Sequence, residues 1–203
     1  MVDLPLLEST TDERAIQAAT RLVAAGAGAI KLEGGSSRAS RISLITREGI
    51  SVMGHVGLLP QTAEASPQGG YKRQGVSASG ALAVIRDAAA VEAAGAFAVV
   101  LEMIPDETAA ATTRVLRVPT IGIGAGPGCD GQVLVLHDMT GGLPGRTPLF
   151  SGQFAGVFWE MRKGLGRYSQ AVRSRMFPGV SHSRPMRPRA RAALAAAWED
   201  GSV

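Results

Sequence analysis

The chain has 203 residues, 45% of them hydrophobic and 4% aromatic, a composition that suits one α/β domain with its own core and argues against a disordered chain. The single cysteine, Cys129, excludes internal disulfides and cysteine-built zinc sites. It fits a reducing cytoplasm, and with no signal peptide or long uncharged apolar span the expectation is a soluble cytoplasmic protein. The formal net charge of +4 is concentrated between Arg162 and Arg191. With few aromatics interleaved, that segment reads as a solvated or subunit-contacting tail, and neither nucleic acid nor a membrane is expected as partner.

In chain order, Met1 to Leu6 reads as a short strand. Thr11 or Asp12 caps a helix through ERAIQAATRLVAAG, with Ile16, Ala19, Leu22 and Val23 on one face and Gly26 as its stop. AIKLEGG (29–35) is a strand whose alternation sets Lys31 and Glu33 on one side, either as a mutual ion pair or aimed into one site. Residues 36–49 are expected to be helical, and 50–61 to form a strand carrying His55 near its end. Residues 62–75 read as a long loop of the lid or binding type. Residues 77–95 form an Ala-rich helix with Leu82, Ile85, Ala89 and Val91 as its buried stripe.

The stretch from Ala96 to Met139 organises the rest. AFAVVLEM (96–103) and PTIGIGAG (119–126) are strands joined by a helical segment (105–116), a βαβ unit that implies parallel pairing. Burying an unpaired charge is costly, so Glu102 at the end of an apolar strand implies a partner or a task. Gly126, Gly128 and Gly131 satisfy a G-x-G-x-x-G spacing, but the strand-like GQVLVLHDM follows where a dinucleotide site needs a helix. The loop therefore reads as a close backbone approach to a ligand or a neighbouring loop rather than a nucleotide cradle. Beyond it, 153–175 tends to helix despite Gly164 and Gly166, and 190–199 forms a last short helix.

Six β units, near 2–6, 29–33, 51–57, 96–102, 119–124 and 131–137, alternate with helices. That pattern predicts a parallel sheet, either open and doubly wound or curved into a barrel. Asp3, Glu33, His55 and Glu102 lie at strand ends, where sites form in parallel sheets. Carboxylates with a Lys and a His, and no Ser-His-Asp or Cys-His pattern, suit a hard cation such as Mg2+ and general acid–base work. Proton abstraction next to a carbonyl is the reaction this set fits, with the substrate left open.

At IKLEGG, VMGHVGLLPQ, GGYKRQG, LEMIP and PTIGIGAGPGCDGQVLVLHDM, the sequence closely resembles the ketopantoate hydroxymethyltransferase family, over about Val2 to Ser183. The resemblance implies a (β/α)8 TIM-barrel fold, here with about six of the eight β/α units. It implies a catalytic domain over 1–183, with 184–203 as a basic tail. The implied reaction transfers a hydroxymethyl group from the co-substrate 5,10-methylenetetrahydrofolate to 3-methyl-2-oxobutanoate with Mg2+, giving 2-dehydropantoate for pantothenate synthesis. By motif position, Glu102 corresponds to the base that removes the C3 proton. Asp3 and Glu33 correspond to the metal-binding acids, and Asp3, Lys31 and His55 to substrate-binding residues. A homodecamer is the implied assembly. Family members begin with about two further units holding a second metal-binding Asp and a Ser that touches the substrate carboxylate. The alternative function is a catalytically impaired paralogue or fragment that binds keto acids or other subunits.

Overall fold

A computed structural model describes residues 1–63, 70–145 and 147–201. Two compact units are distinguished: Met1–Val135 with Pro148–Gly152, and Leu136–Thr147 with Gln153–Val203.

The first unit begins with β1 (Val2–Asp3), shorter than expected because Pro5 has no N–H to continue the ladder and the chain turns into a 3-10 helix at Leu6–Ser9. Helix α1 (Asp12–Ala24) follows, and the Thr11 side chain caps it by accepting from the Arg14 amide. Its buried residues are Ala15, Ala18 and Ala19, while Val23 is exposed. Then come β2 (Ile30–Glu33), a 3-10 turn at Ser36–Arg38, α2 (Ala39–Arg47), β3 (Val52–Gly57) and the one-turn α3 (Pro60–Ala63). Helix α4 (Ala78–Ala93), capped by Ser77, leads to β4 (Ala98–Glu102), α5 (Asp106–Val115), β5 (Thr120–Ile123) and β6 (Gly131–Gln132). Of the expected loop at 62–75, residues 64–69 lie outside the described residues.

All six strands pair in parallel in the order β1-β2-β3-β4-β5-β6. A doubly wound sheet reverses its order at a switch point, whereas sequential order with right-handed crossovers puts every connecting helix on the same face. That is the wall of a β/α barrel, open among the described residues. On the helix-bearing face Ile30, Leu32, Val52, Val56, Val99 and Leu101 are all within 1% of complete burial, and they form one cluster with Ile42 and Ile45 of α2 and Ala88 and Val91 of α4. Each fully buried aliphatic side chain contributes about 1.5–3 kcal/mol.

Two expectations are corrected here. The buried stripe of α4 is Val84, Ala88 and Val91, with Leu82 exposed. Gly54 of β3 sets that phase, because a Cβ there would collide with Val91 Cγ1. The strand expected over 131–137 is only two residues long. Its partner β5 ends at Ile123 and turns away at Gly124 (φ +61°), so after the Val133 amide donates to the Gly122 carbonyl (3.0 Å) no ladder remains.

The second unit contains α6 (Leu136–Thr140), α7 (Val157–Arg173), a 3-10 turn at Val180–His182 and α8 (Pro188–Glu199). Helix α7 runs through Gly164 and Gly166. Pro188 opens α8 at a position that needs no N–H donor. The aromatic rings of Tyr168 and Phe177 meet edge-on, with centroids 5.4 Å apart, and Phe177 also contacts His182. Among the described residues no helix is long and apolar enough to cross a membrane.

Candidate active site

Register brings the strand-end residues together. Asp3 lies beside Lys31, Glu33 beside His55, and Glu102 beside Gly57. Residues in register on parallel strands share a face, so Lys31, Glu33, His55 and Glu102 all stand on the side opposite the helices of this unit.

Each strand is ended sharply at that level. Gly34 (φ +122°) turns the chain after Glu33, and Gly35 lies against Asp87, whose Oδ1 accepts from the Ser36 amide (2.9 Å) and hydroxyl (2.7 Å). Gly57 (φ +92°) ends β3 so close to β4 that a Cβ would meet the Glu102 carbonyl oxygen. Met103 (φ 45°) follows Glu102 in the left-handed region, rare for a non-glycine residue and often found at functional sites. It is held there because its N–H donates to the Ile123 carbonyl and its carbonyl accepts from the Gln74 amide, both at 2.9 Å.

Lys31 is the hub. Its Nζ lies 2.8 Å from Asp3 Oδ1, 3.7 Å from Glu33 Oε1 and 3.3 Å from His55 Nδ1. Of the two readings of Lys31 and Glu33, the ion pair is present, with Asp3 joining it, and Lys31 also lines the cavity described below. His55 is 1% exposed, and its Nε2 lies 2.9 Å from the Leu58 carbonyl oxygen and 3.2 Å from Glu102 Oε2. An ammonium only donates and a carbonyl only accepts. Glu33 Oε1 is also near Nδ1 but farther, at 3.9 Å, so the nearer neighbours assign the hydrogen to Nε2 and the lone pair to Nδ1. Glu33 Oε2 accepts from the Gln61 amide (3.1 Å), and the Gln61 side chain donates to the Leu4 carbonyl (3.3 Å), tying β1 and β2 to the turn after β3.

In front of this cluster is a cavity of about 510 Å³, within the size range of small-molecule sites. Asp3, Lys31, His55 and Glu102 supply its polar wall, and Val100, Ile121 and Ile123 its apolar one. All five sequence-predicted residues therefore meet, although Glu33 sits beside Lys31 rather than on the cavity wall. Among the described residues no three His, Cys, Asp or Glu side chains converge as a metal cage. The position that Asp3 and Glu33 both reach is taken by the Lys31 ammonium. Two carboxylates are enough for an ion such as Mg2+, which uses one or two and keeps its waters, so they would fit it once Lys31 moves aside.

The sequence reading missed the Leu58 carbonyl, Gln61 and Met103. Only Gly57 signalled that β3 ends before Gln61, and a backbone carbonyl carries no residue signature. The glycine loop makes a close backbone approach, here to helix α5 where a ligand or a neighbouring loop was expected: an added Cβ at Gly128 would press on Ala110, and one at Gly126 on Asp106. Asp130 anchors the loop. The amide and hydroxyl of Thr120 donate to its Oδ2 at 2.8 and 3.0 Å, which holds the Asp130 carboxyl below its ordinary range. Burial pushes the neighbouring Cys129 thiol up, so it is a poor nucleophile.

The family model for ketopantoate hydroxymethyltransferase matches residues 1–180, a span that holds every residue of this cluster. The chain belongs to that family. Among ketopantoate hydroxymethyltransferase relatives, the 3-methyl-2-oxobutanoate hydroxymethyltransferase of Emericella nidulans is 47% identical over 188 residues, covering 91% of this chain and 53% of the relative. That of Anaeromyxobacter sp. (strain K) is 49% identical over 177 residues, 87% of this chain and 57% of the relative. That of Cenarchaeum symbiosum is 49% identical over 185 residues, 89% and 69%. The chain thus spans between about half and two thirds of the length of these relatives.

Proposed function

We propose that this chain carries the proton-abstracting site of a 3-methyl-2-oxobutanoate hydroxymethyltransferase. The reaction adds a hydroxymethyl group from 5,10-methylenetetrahydrofolate to C3 of the keto acid, giving 2-dehydropantoate. The observation that carries this reading is Glu102 at the cavity wall beside His55, with Lys31 on the same face.

The roles follow from charge and position. Removing the C3 proton puts negative charge on the 2-keto oxygen, and the Lys31 ammonium is the cation on the cavity wall able to stabilise it. The Glu102 carboxylate takes the proton. The apolar wall of Val100, Ile121 and Ile123 suits the branched alkyl end of the substrate. Asp3 and Glu33 would hold Mg2+, which when bound supplies Lewis-acid polarisation of the keto oxygen. We assign catalysis to residues 1–183 and the Arg/Pro-rich 184–203 segment to a tail. A cytoplasmic homo-oligomer fits the lone free Cys129 and the exposed apolar side chains Trp159, Leu165 and Tyr168 of α7.

One observation favours a second reading, keto-acid binding without turnover: Lys31 already bridges Asp3 and Glu33, filling a cation's place between them.

Exchange of the C3 hydrogen of 3-methyl-2-oxobutanoate in D2O, followed by NMR with and without Mg2+, separates the two. Mg2+-dependent exchange that drops about 10²–10⁴-fold in Glu102→Gln supports the transferase site. A folded chain that binds the keto acid without exchange supports the second reading.

A further inference from the structure

We propose that His55 is the positioning residue for Glu102, held in its Nε2–H tautomer by Lys31, so that one carboxylate oxygen is fixed and the other is left to take the proton. The inference deepens the transferase reading and rests on it.

Three contacts carry it. His55 Nδ1 lies 3.3 Å from the Lys31 ammonium and 3.9 Å from Glu33 Oε1, and the nearer group, a donor, favours a lone pair on Nδ1. Nε2 then carries the ring's hydrogen and shares it between the Leu58 carbonyl (2.9 Å) and Glu102 Oε2 (3.2 Å). The ring is 1% exposed, so water does not compete for either nitrogen.

The arrangement suits a base. Among the described residues no Lys or Arg ion-pairs with Glu102, and His55 is its polar neighbour. The imidazole N–H orients Oε2 and leaves Glu102 Oε1 for the substrate. The Leu58 carbonyl is brought into reach by Gly57, whose positive φ turns the chain back over β4. The chain from Lys31 through the ring to Glu102 also joins the group that faces the keto oxygen to the group that takes the proton. Position on one side therefore fixes orientation on the other.

Two measurements on the full chain test this. Long-range ¹H–¹⁵N correlation spectra of the ¹⁵N-histidine-labelled protein should give His55 a pyrrole-type Nε2 and a pyridine-type Nδ1. Lys31→Met should broaden or reverse that assignment. A hydrogen on Nδ1 in the unmodified chain overturns the proposal. In the C3 exchange assay, the side-chain amide of His55→Gln reaches the place of Nε2, whereas that of His55→Asn stops near Nδ1. The Asn variant should lose about 100-fold in kcat with KM within about twofold, and the Gln variant should recover at least about tenfold of that loss. Equal losses in both variants, at unchanged near-ultraviolet circular dichroism, overturn the positioning role. An unmodified chain that never exchanges the C3 hydrogen sinks the transferase reading instead, and the spectra still decide whether Lys31 fixes the tautomer.

Discussion

At the scale of single residues, the site depends on backbone that only particular side chains permit. Gly57 combines φ +92° with an approach to the Glu102 carbonyl that leaves no room for a Cβ. Gly57→Ala should cost about 1–3 kcal/mol in urea unfolding and slow C3 exchange, because the Leu58 carbonyl is displaced from His55. Unchanged stability would mean the turn relaxes freely. Asp130 gives a pH signature. Its folded carboxyl titrates below the ordinary 3.8 because Thr120 donates to the carboxylate, so its stabilising effect is present above that value and is lost as pH falls through the lower folded one. Plotted against pH, the Tm advantage of the unmodified chain over Asp130→Asn should be constant from neutrality to about pH 5 and shrink below pH 4. A gap that widened in acid would contradict the hydrogen bonds from Thr120. The ionisable members of the cluster were legible because strand ends in parallel sheets collect such groups. Their geometric support was not: the Leu58 carbonyl is main chain, and Met103 adopts its left-handed conformation through tertiary hydrogen bonds that no local pattern announces.

At the scale of elements, strand identity followed from apolar runs, while lengths and phases were set by neighbours. The 131–137 run is as β-like as any in the chain, yet it makes two ladder residues because β5 leaves it. In α4, Leu82 looked like core by spacing, but the slot opened by Gly54 is filled by Val91 and turns Leu82 outward. Strand β4 is the mechanical centre, paired on both sides and ending in Glu102. Leu101, fully buried against the helix layer, should cost about 2–5 kcal/mol as Leu101→Ala in denaturant unfolding, as large-to-small core changes do. A loss under about 1 kcal/mol would mean the layer collapses onto the vacancy.

At the scale of the whole molecule, the two units differ in how they are built. The first has a continuous core in which β2, β3 and β4 pack with α1, α2, α4 and α5. In the second, neither α7 nor α8 has a buried residue, and Val157, Met161, Leu165, Tyr168 and Val172 of α7 form an exposed stripe at helical spacing. Native-state hydrogen exchange on the isolated chain should find the slowest amides in β3 and β4 and the fastest helical ones in α7 and α8. Equal protection throughout would mean the second unit is stabilised by packing absent from its own contacts. The barrel wall was legible from strict β/α alternation. What alternation left open, barrel against doubly wound sheet, was settled by strand order, a property of the assembled sheet rather than of any segment.

The separation of the sheet's two faces also determines which changes of length this chain tolerates. Along β4, Leu101 faces the helices and Glu102 faces the cavity. Losing or gaining a single residue inside the strand would exchange the two, leaving a carboxylate under α4 and α5 and a leucine facing the cavity in place of Glu102. Insertions in the connections on the side away from the cavity displace neither face. Length variation should therefore collect between Ala24 and Ile30 and between Arg47 and Val52, while β2 to β5 keep their residue count even where individual residues change.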